Sequence, residues 1–412
     1  MTPSAGRVLE RIEELFALAR GPNGGATRPA FSGAEARAML LVADWAREAG
    51  LGAAVDPHGN LWCLPPGDEP CVTGGSHVDT VPDGGRYDGP LGTVLAVEAA
   101  ARAGGKGGVL VCAAEEASRF GAGTLGSRAM TGKISDGELS RLRDADGRDA
   151  LSARSAFLHA LGDLPRLGRA PLWRISPHVE VHIEQRSDLR GRGLSLGVAT
   201  TVAGPVRHGL RFVGGVAHAG ETPAGERRDA LCAAAETVLL AERLGQGYAP
   251  ETTATVGTLG IRPNSLTSIP GEAEVGLDVR GVRPGDARLL LEELLGGARE
   301  AAGSRGVRLE EWPLSASEPT EMDGAMVAAV EEACARLGVP CGRCVSFAGH
   351  DAQHLAAVAP SALVFVASEN GVSHAPGEAV AEGDVGAALA VLCALVEGPQ
   401  GEKMPQEARG RR

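Results

Sequence analysis

Near residue 200 the order of secondary-structure elements written into this chain changes, and nothing else in its 412 residues limits the fold as much. Upstream, residues 34–49 carry apolar side chains at helical spacing, and 60–64 form a short strand. Residues 71–76 form a strand that runs into a loop rich in glycine and proline (79–89). Pro90 stands where the first turn of a helix tolerates proline, and 91–102 continues that helix. Residues 108–114 are continuously apolar, as expected of a strand buried on both faces. This β-α-β order predicts a mainly parallel sheet with helices on both faces. Beyond residue 200 the order becomes strand 207–213, helix 229–244, strands 254–261 and 272–280, helix 287–302 and strand 307–312. That β-α-β-β-α-β succession predicts a ferredoxin-like α+β unit. From residue 326 helix and strand alternate again, with 362–367 an apolar strand. The expected architecture is therefore an α/β domain of residues 1–199 and 314–412, interrupted by an inserted α+β domain of residues 200–313. The chain is also long enough to need two cores. The polar, charged tail 398–412 is expected to fray.

Composition excludes several classes. Lysine and arginine number 40 against 52 acidic residues, so the net charge is −12 and no basic stripe offers a nucleic-acid surface. Val8, Leu9, Ile12, Leu15 and Phe16 lie at helical spacing among charges, which reads as an amphipathic surface helix rather than a signal peptide. The longest apolar run, residues 387–396, is too short to span a bilayer and reads as a buried helix. A cytoplasmic location is expected. Eight cysteines are scattered, with Cys341 and Cys344 forming the only C-x-x-C; without a second pair, free thiols are expected.

Four segments place histidine and carboxylate at the ends of expected strands, the edge where open α/β sheets bind ligands. The first runs from Gly75 through His77 and Asp79, with Asp88 eleven residues after His77. Asp79 suits the carboxylate that orients a metal-bound imidazole, and Asp88 suits a carboxylate bridging two cations. The second is Glu115-Glu116, two carboxylates that repel at a buried edge unless a cation sits there. In the third, residues 178–185, alternation places Glu180, His182 and Glu184 on one face; an ordinary half-exposed strand would give the same pattern. The fourth is His374 in a turn-like loop after an apolar strand. Each segment alone also fits a plain surface loop or a solvated pair.

Together they carry a resemblance. The ordered set G-S-H-x-D-T-V-P, Y-D-G-P-L-G, E-E-x-S-R-F-G, H-I-E-Q, A-H-A-G-x-T-P, I-P-G-E, D-V-R, G-H-D-A-Q and S-H-A-P runs from about Gly75 to Pro376. It resembles the N-carbamoyl-L-amino-acid amidohydrolase and allantoate amidohydrolase group, which includes the β-alanine synthases. This group is the amidohydrolase branch of the aminoacylase and carboxypeptidase G metallopeptidase clan. The resemblance implies two divalent metal ions per subunit. Zinc is the expected metal, and manganese, cobalt or nickel also suit the N/O ligands. His77 and His182 would each ligate one metal, Glu116 and His374 the other, and Asp88 would bridge them. Glu115 would act as general base and acid toward a metal-activated water. His218 would assist the oxyanion, and Arg280 would grip a substrate carboxylate. Gln185, Asn264 and Thr267 would border the substrate, while His350 and Asp351 would shape the site from behind. The inserted domain would close over the site and form a homodimer.

The pattern departs from the family where the substrate would sit. Thr267 occupies the place of a second asparagine in P-N-x-x-N, Arg186-Ser187 replaces Gly-Pro after H-I-E-Q, and Glu369 stands where a basic or neutral residue is usual. The expected reaction is hydrolysis of an N-carbamoyl amino acid or a relative such as allantoate. The competing readings are an N-acyl amino-acid deacylase or dipeptidase on the same metals, and a metal-dependent binding protein without catalysis.

Overall fold

A proline-initiated helix, Pro90–Arg102, lies at the heart of the larger of two units in the computed structural model, which describes residues 4–248 and 250–398. Its residues Pro90–Ala100 are all buried; most are glycine, alanine, valine and leucine, and the one charge, Glu98, is paired with Arg7 and Arg11. At the closest approach only glycine fits. A Cβ on Gly92 would lie 1.8 Å from the Val181 carbonyl oxygen, so helix and strand touch backbone to backbone. Gly89, with φ 81°, turns the chain into the helix and lies against the His77 ring, where a Cβ would come within 2.4 Å of Cε1.

The sheet beside this helix runs in the order Gly52–Val55, Leu61–Leu64, Gly108–Cys112, Cys71–His77, Ile175–Ile183, Ser361–Val366, Leu196–Val202 and Thr320–Glu321. Cys341–Ser346 also pairs with Leu196–Val202. The four central strands, Gly108–Cys112 through Ser361–Val366, are parallel. Antiparallel neighbours flank them. With helices on both faces, the central strands lose contact with water on both sides. The strand Ile175–Ile183 is buried throughout except at Ser176, so its alternation does not mark a half-exposed strand. Glu180 and His182 are 0% and 1% exposed. The strand at Gly108 stops at Cys112 rather than 114, because Ala114 takes the left-handed conformation (φ 55°) and turns the chain.

Side-chain caps fix several helix starts. The Ser32 hydroxyl accepts the Glu35 N–H before Gly33–Glu48, and Asp323 accepts the Met326 N–H before Gly324–Leu337. Gly338 (φ 66°) ends the latter helix. All eight cysteines are free thiols. Among the described residues no helix is long and apolar enough to cross a membrane. The tail 399–412 lies outside them.

The larger unit comprises residues 1–200, 321–344 and 349–412, and the smaller one 201–320 with 345–348. The smaller unit's sheet is antiparallel, in the order Arg308–Ala316, Gly204–Val213, Glu272–Gly281, Thr252–Arg262. Helices Ala230–Tyr248 and Asp286–Ser304 cover one face, where Leu290, Leu294 and Leu295 pack against Leu210, Phe212 and Val275. Each such side chain contributes roughly 1.5–3 kcal/mol by leaving water. A two-residue pairing of Ala217–His218 with Ser268–Ile269 lies outside this sheet and has no periodicity to announce it.

Candidate metal centre

Parallel strands end at one edge of the larger unit's sheet, and the turns there bring distant residues together. His77 closes Cys71–His77 and is fully buried. Its Nδ1 lies 3.1 Å from the Asp79 carbonyl oxygen and 3.4 Å from Asp79 Oδ1. Its Nε2 is buried without a hydrogen-bond partner, 3.4 Å from Asp88 Oδ1 and 3.8 Å from Glu115 Oε2. His182 is oriented the same way. Its Nδ1 lies 2.9 Å from the Ile183 carbonyl oxygen, and its Nε2 is 3.1 Å from Asp88 Oδ1. On the other side of Asp88, Oδ2 is 3.5 Å from His374 Nε2, which is also 3.5 Å from Glu116 Oε1.

Two groups of ligand atoms result, His77–Asp88–His182 and Asp88–Glu116–His374, each with its atoms within 4.8 Å of one another. Asp88 belongs to both, through a different oxygen in each. Glu115 belongs to neither.

The electrostatics favour a cation. Burial and then the neighbouring Asp88 push the Glu116 carboxyl up to about 8. Burial also raises Glu115 well above its ordinary value; His77 opposes this, but Glu116, Asp351 and Asp79 add to it. Burial opposes charge on His77, yet Glu115, Asp79 and Asp88 outweigh it and hold the imidazole well above its usual range. Buried carboxylates in excess of their partners, around an imidazole nitrogen with no hydrogen bond, form the donor set of a divalent metal site. The residues present fit such an ion.

Asp79 fixes the pair after the turn at Ala114: its two oxygens accept the Glu115 N–H (3.1 Å) and Glu116 N–H (3.0 Å). Gln185 meets the metal group directly, its Nε2 donating to Asp88 Oδ2 at 3.0 Å. Behind His182, the His350 ring packs edge-on with centroids 4.6 Å apart, and Asp351 Oδ1 accepts the Ser127 hydroxyl. Glu180, buried beside His182 in sequence, accepts the Ser76 hydroxyl (2.9 Å) and the Ala352 N–H (2.6 Å).

Three residues that sequence reasoning passed over also shape the site. Ser373 Oγ donates to Asp88 Oδ2 at 2.6 Å. Glu378, 3% exposed, accepts the N–H groups of Tyr87, Asp88 and His374. Glu35 accepts the Ala114 N–H at the turn before Glu115. A Glu four residues after His374 was the only sequence signal for Glu378. Ser373 stood in the S-H-A-P motif without a role of its own, and nothing marked Glu35.

The smaller unit carries His218, Asn264, Thr267 and Arg280. His218 Nδ1 accepts the N–H groups of Gly220 and Glu221, both at 3.2 Å, so the neutral ring holds its proton on Nε2 as a donor. Pairing of His218 with Ser268, and of Ala219 N–H with the Thr267 carbonyl at 3.0 Å, sets the 263–267 loop beside it. The Thr267 hydroxyl lies 3.3 Å from that of Ser265, and Asn264 is exposed. Arg280 is oriented by Asp278, to which Nε donates at 2.7 Å and Nη2 at 3.1 Å, while Nη1 donates to the Phe347 carbonyl. Arg207 donates to the same Asp278 at 2.7 Å.

Residues 74–398 match the model of peptidase family M20/M25/M40. The chain is 36% identical over 385 residues to an N-carbamoyl-L-amino acid amidohydrolase of Geobacillus stearothermophilus, covering 90% of this chain and 93% of the relative. It is 31% identical over 383 residues to an allantoate amidohydrolase of Bacillus subtilis, covering 90% and 92%. A crystal structure of an amidase of the hydantoinase/carbamoylase family from Burkholderia multivorans superposes with a TM-score of 0.82, at 32% identity, over 95% of this chain and 97% of that one.

Proposed function

From the premise that this chain belongs to peptidase family M20/M25/M40, within its carbamoyl-amidohydrolase branch, we propose the reaction and the roles that follow. It is a metal-dependent hydrolase that cleaves the C–N bond of a ureido compound, an N-carbamoyl L-amino acid or a close relative such as allantoate. The observation that carries the reading is the sharing of Asp88 between two groups of imidazole and carboxylate ligands. That arrangement supports two ions per subunit, and the ligand chemistry supports zinc.

When bound, the cations supply Lewis acidity that lowers the pKa of water and polarises the scissile carbonyl. His77, Asp88 and His182 would hold one ion, and Asp88, Glu116 and His374 the other. Glu115, outside both groups yet 3.8 Å from His77, is free to move protons. It takes a proton from the water that adds to the carbamoyl carbon and gives it to the departing amino-acid nitrogen as the C–N bond breaks. The released carbamate decomposes to ammonia and carbon dioxide. His218 offers its Nε2–H to the developing oxyanion. Arg280, held by Asp278 and the Phe347 carbonyl, keeps further N–H donors for the substrate carboxylate. Asn264 and Thr267 border that carboxylate.

We also assign a homodimer built through the smaller unit. Its edge strand Thr252–Arg262 is eleven residues long, carries no charge before Arg262 and exposes Leu259 by 48%, a surface suited to pairing with a second copy. Eight free thiols support a reducing, cytoplasmic setting.

Ammonia release from carbamoyl-, formyl- and acyl-amino acids and from allantoate tests the substrate. Activity confined to simple acyl compounds would replace the ureido reading with a deacylase or dipeptidase. Glu115→Gln is expected to lower turnover by roughly 10²–10⁴-fold with the metal content intact. Unchanged turnover would remove Glu115 from its role.

A further inference from the structure

The second ligand group is assembled from loops almost 300 residues apart in sequence, and a single buried carboxylate joins them. Glu378 Oε2 accepts the N–H of Tyr87 at 2.9 Å and that of Asp88 at 3.2 Å. Its other oxygen, Oε1, accepts the N–H of His374 at 3.1 Å and lies 3.5 Å from the Ser373 hydroxyl. That hydroxyl in turn donates to Asp88 Oδ2, the oxygen facing His374. Glu378 thus grips the backbone of two ligands of one group while itself belonging to neither group.

Both attachments are to positions the chain would not hold unaided. His374 adopts the left-handed conformation (φ 59°), which costs a residue with a Cβ of order 1 kcal/mol or more. Asp88 precedes the φ 81° turn at Gly89. A carboxylate is the only common side chain with two oxygens that accept on both sides at once. An amide would turn its NH₂ toward one set of N–H groups and leave that set unsatisfied.

We propose that Glu378 is the positioning residue of the Asp88–Glu116–His374 group and sets the affinity of that group most, because it holds both Asp88 and His374 there, whereas in His77–Asp88–His182 it holds only the shared Asp88 and strands carry the two histidines. The inference rests on the two-ion reading and deepens it. Outer partners of metal ligands typically alter affinity by 10–100-fold. The loss on Glu378→Gln should fall in that range and chiefly on one ion.

The test is stepwise zinc titration of the metal-stripped protein against a chromogenic competitor, for wild type, Glu378→Gln and Ser373→Ala. Glu98→Gln serves as a control, removing another buried carboxylate, paired with Arg7 and Arg11, that touches neither group. Glu378→Gln should weaken one binding step about 10–100-fold and move the other by less than about threefold. Ser373→Ala should give a smaller change in the same step, and it decides the matter if Glu378→Gln does not fold. Glu98→Gln should lower the melting temperature without separating the steps. Equal weakening of both steps, or no change in either, overturns the proposal. A wild type that binds one ion refutes the two-ion reading instead. Hydrogen exchange at the Tyr87, Asp88 and His374 amides of the metal-free proteins then judges Glu378: faster exchange in Glu378→Gln upholds its positioning role, and unchanged exchange overturns it.

Discussion

Replacing Gly92 with alanine adds one methyl group, and the structure says where it must go. The new Cβ would lie 1.8 Å from the Val181 carbonyl oxygen and 2.9 Å from its carbon, both backbone atoms that no rotamer change can move. Real Cβ atoms keep at least 3.0 Å from such a neighbour, so helix Pro90–Arg102 and strand Ile175–Ile183 must separate by at least 1.2 Å. Asp88 leads into that helix and His182 follows Val181, so the same shift pulls apart a pair now 3.1 Å from each other. Metal ligands tolerate displacements of only about 0.2 Å, so the His77–Asp88–His182 group should lose at least about tenfold in affinity. Overpacking should also cost roughly 1–3 kcal/mol, or several degrees of melting temperature. Gly296→Ala is the contrasting change. Nothing lies within 4 Å of a Cβ there, and helix Asp286–Ser304 should gain roughly 0.5–1 kcal/mol. Thermal unfolding of the metal-free proteins and zinc titration measure both effects. Wild-type metal affinity in Gly92→Ala, with melting within about one degree of wild type, would refute the reasoning.

Other consequences can be measured separately. Burial holds the His178 imidazole down at about 3, below its unfolded value, so the unfolded chain binds the extra proton between those values. Its contribution is complete above about pH 6.5 and is lost as pH falls toward 3, the loss reaching about 2.7 kcal/mol by pH 4.5. Wild type should therefore lose more stability than His178→Gln between pH 7 and 4.5 in denaturant titrations; equal losses would contradict the assignment. Asp278→Asn removes the charge that orients Arg280 and should raise KM for a carboxylate substrate about tenfold with a smaller change in kcat. An unaltered KM would show that Arg280 does not meet the carboxylate. Thr267→Asn restores an amide beside Asn264 and should lower the same KM several-fold, the worth of one hydrogen bond of about 0.5–1.5 kcal/mol; an unchanged or higher KM would remove position 267 from the carboxylate pocket.

The elements were legible because periodicity is local. Helix Pro90–Arg102 and strand Glu272–Gly281 fall within a residue of their expected spans. His77, Asp88, Glu116, His182 and His374 could be singled out because the short motifs around them follow one another in the order of one family from Gly75 to Pro376; each segment alone read equally well as a plain loop or a solvated pair. Partnerships that run through the backbone were hidden. Nothing in the sequence around Glu378 says that its oxygens receive N–H groups from residues 87 and 88, and nothing at Glu35 points to Ala114. The strand carrying His182 misled in another way. Glu180 is buried yet polar because the Ser76 hydroxyl and Ala352 N–H satisfy it, so its alternation with valine mimicked a wet face.

The ligands' order along the chain also sets a timetable for synthesis. His77, Asp88 and His182 have all been made by residue 182, whereas His374 and its anchor Glu378 follow almost 200 residues later. The strand Ser361–Val366, which pairs beside the one bearing His182, is equally late. A ribosome-bound chain can therefore present the first trio of ligands long before the second exists. On the two-ion reading, filling of the second position must wait until Glu378 has been joined, and a chain cut short before His374 would carry a half-built centre.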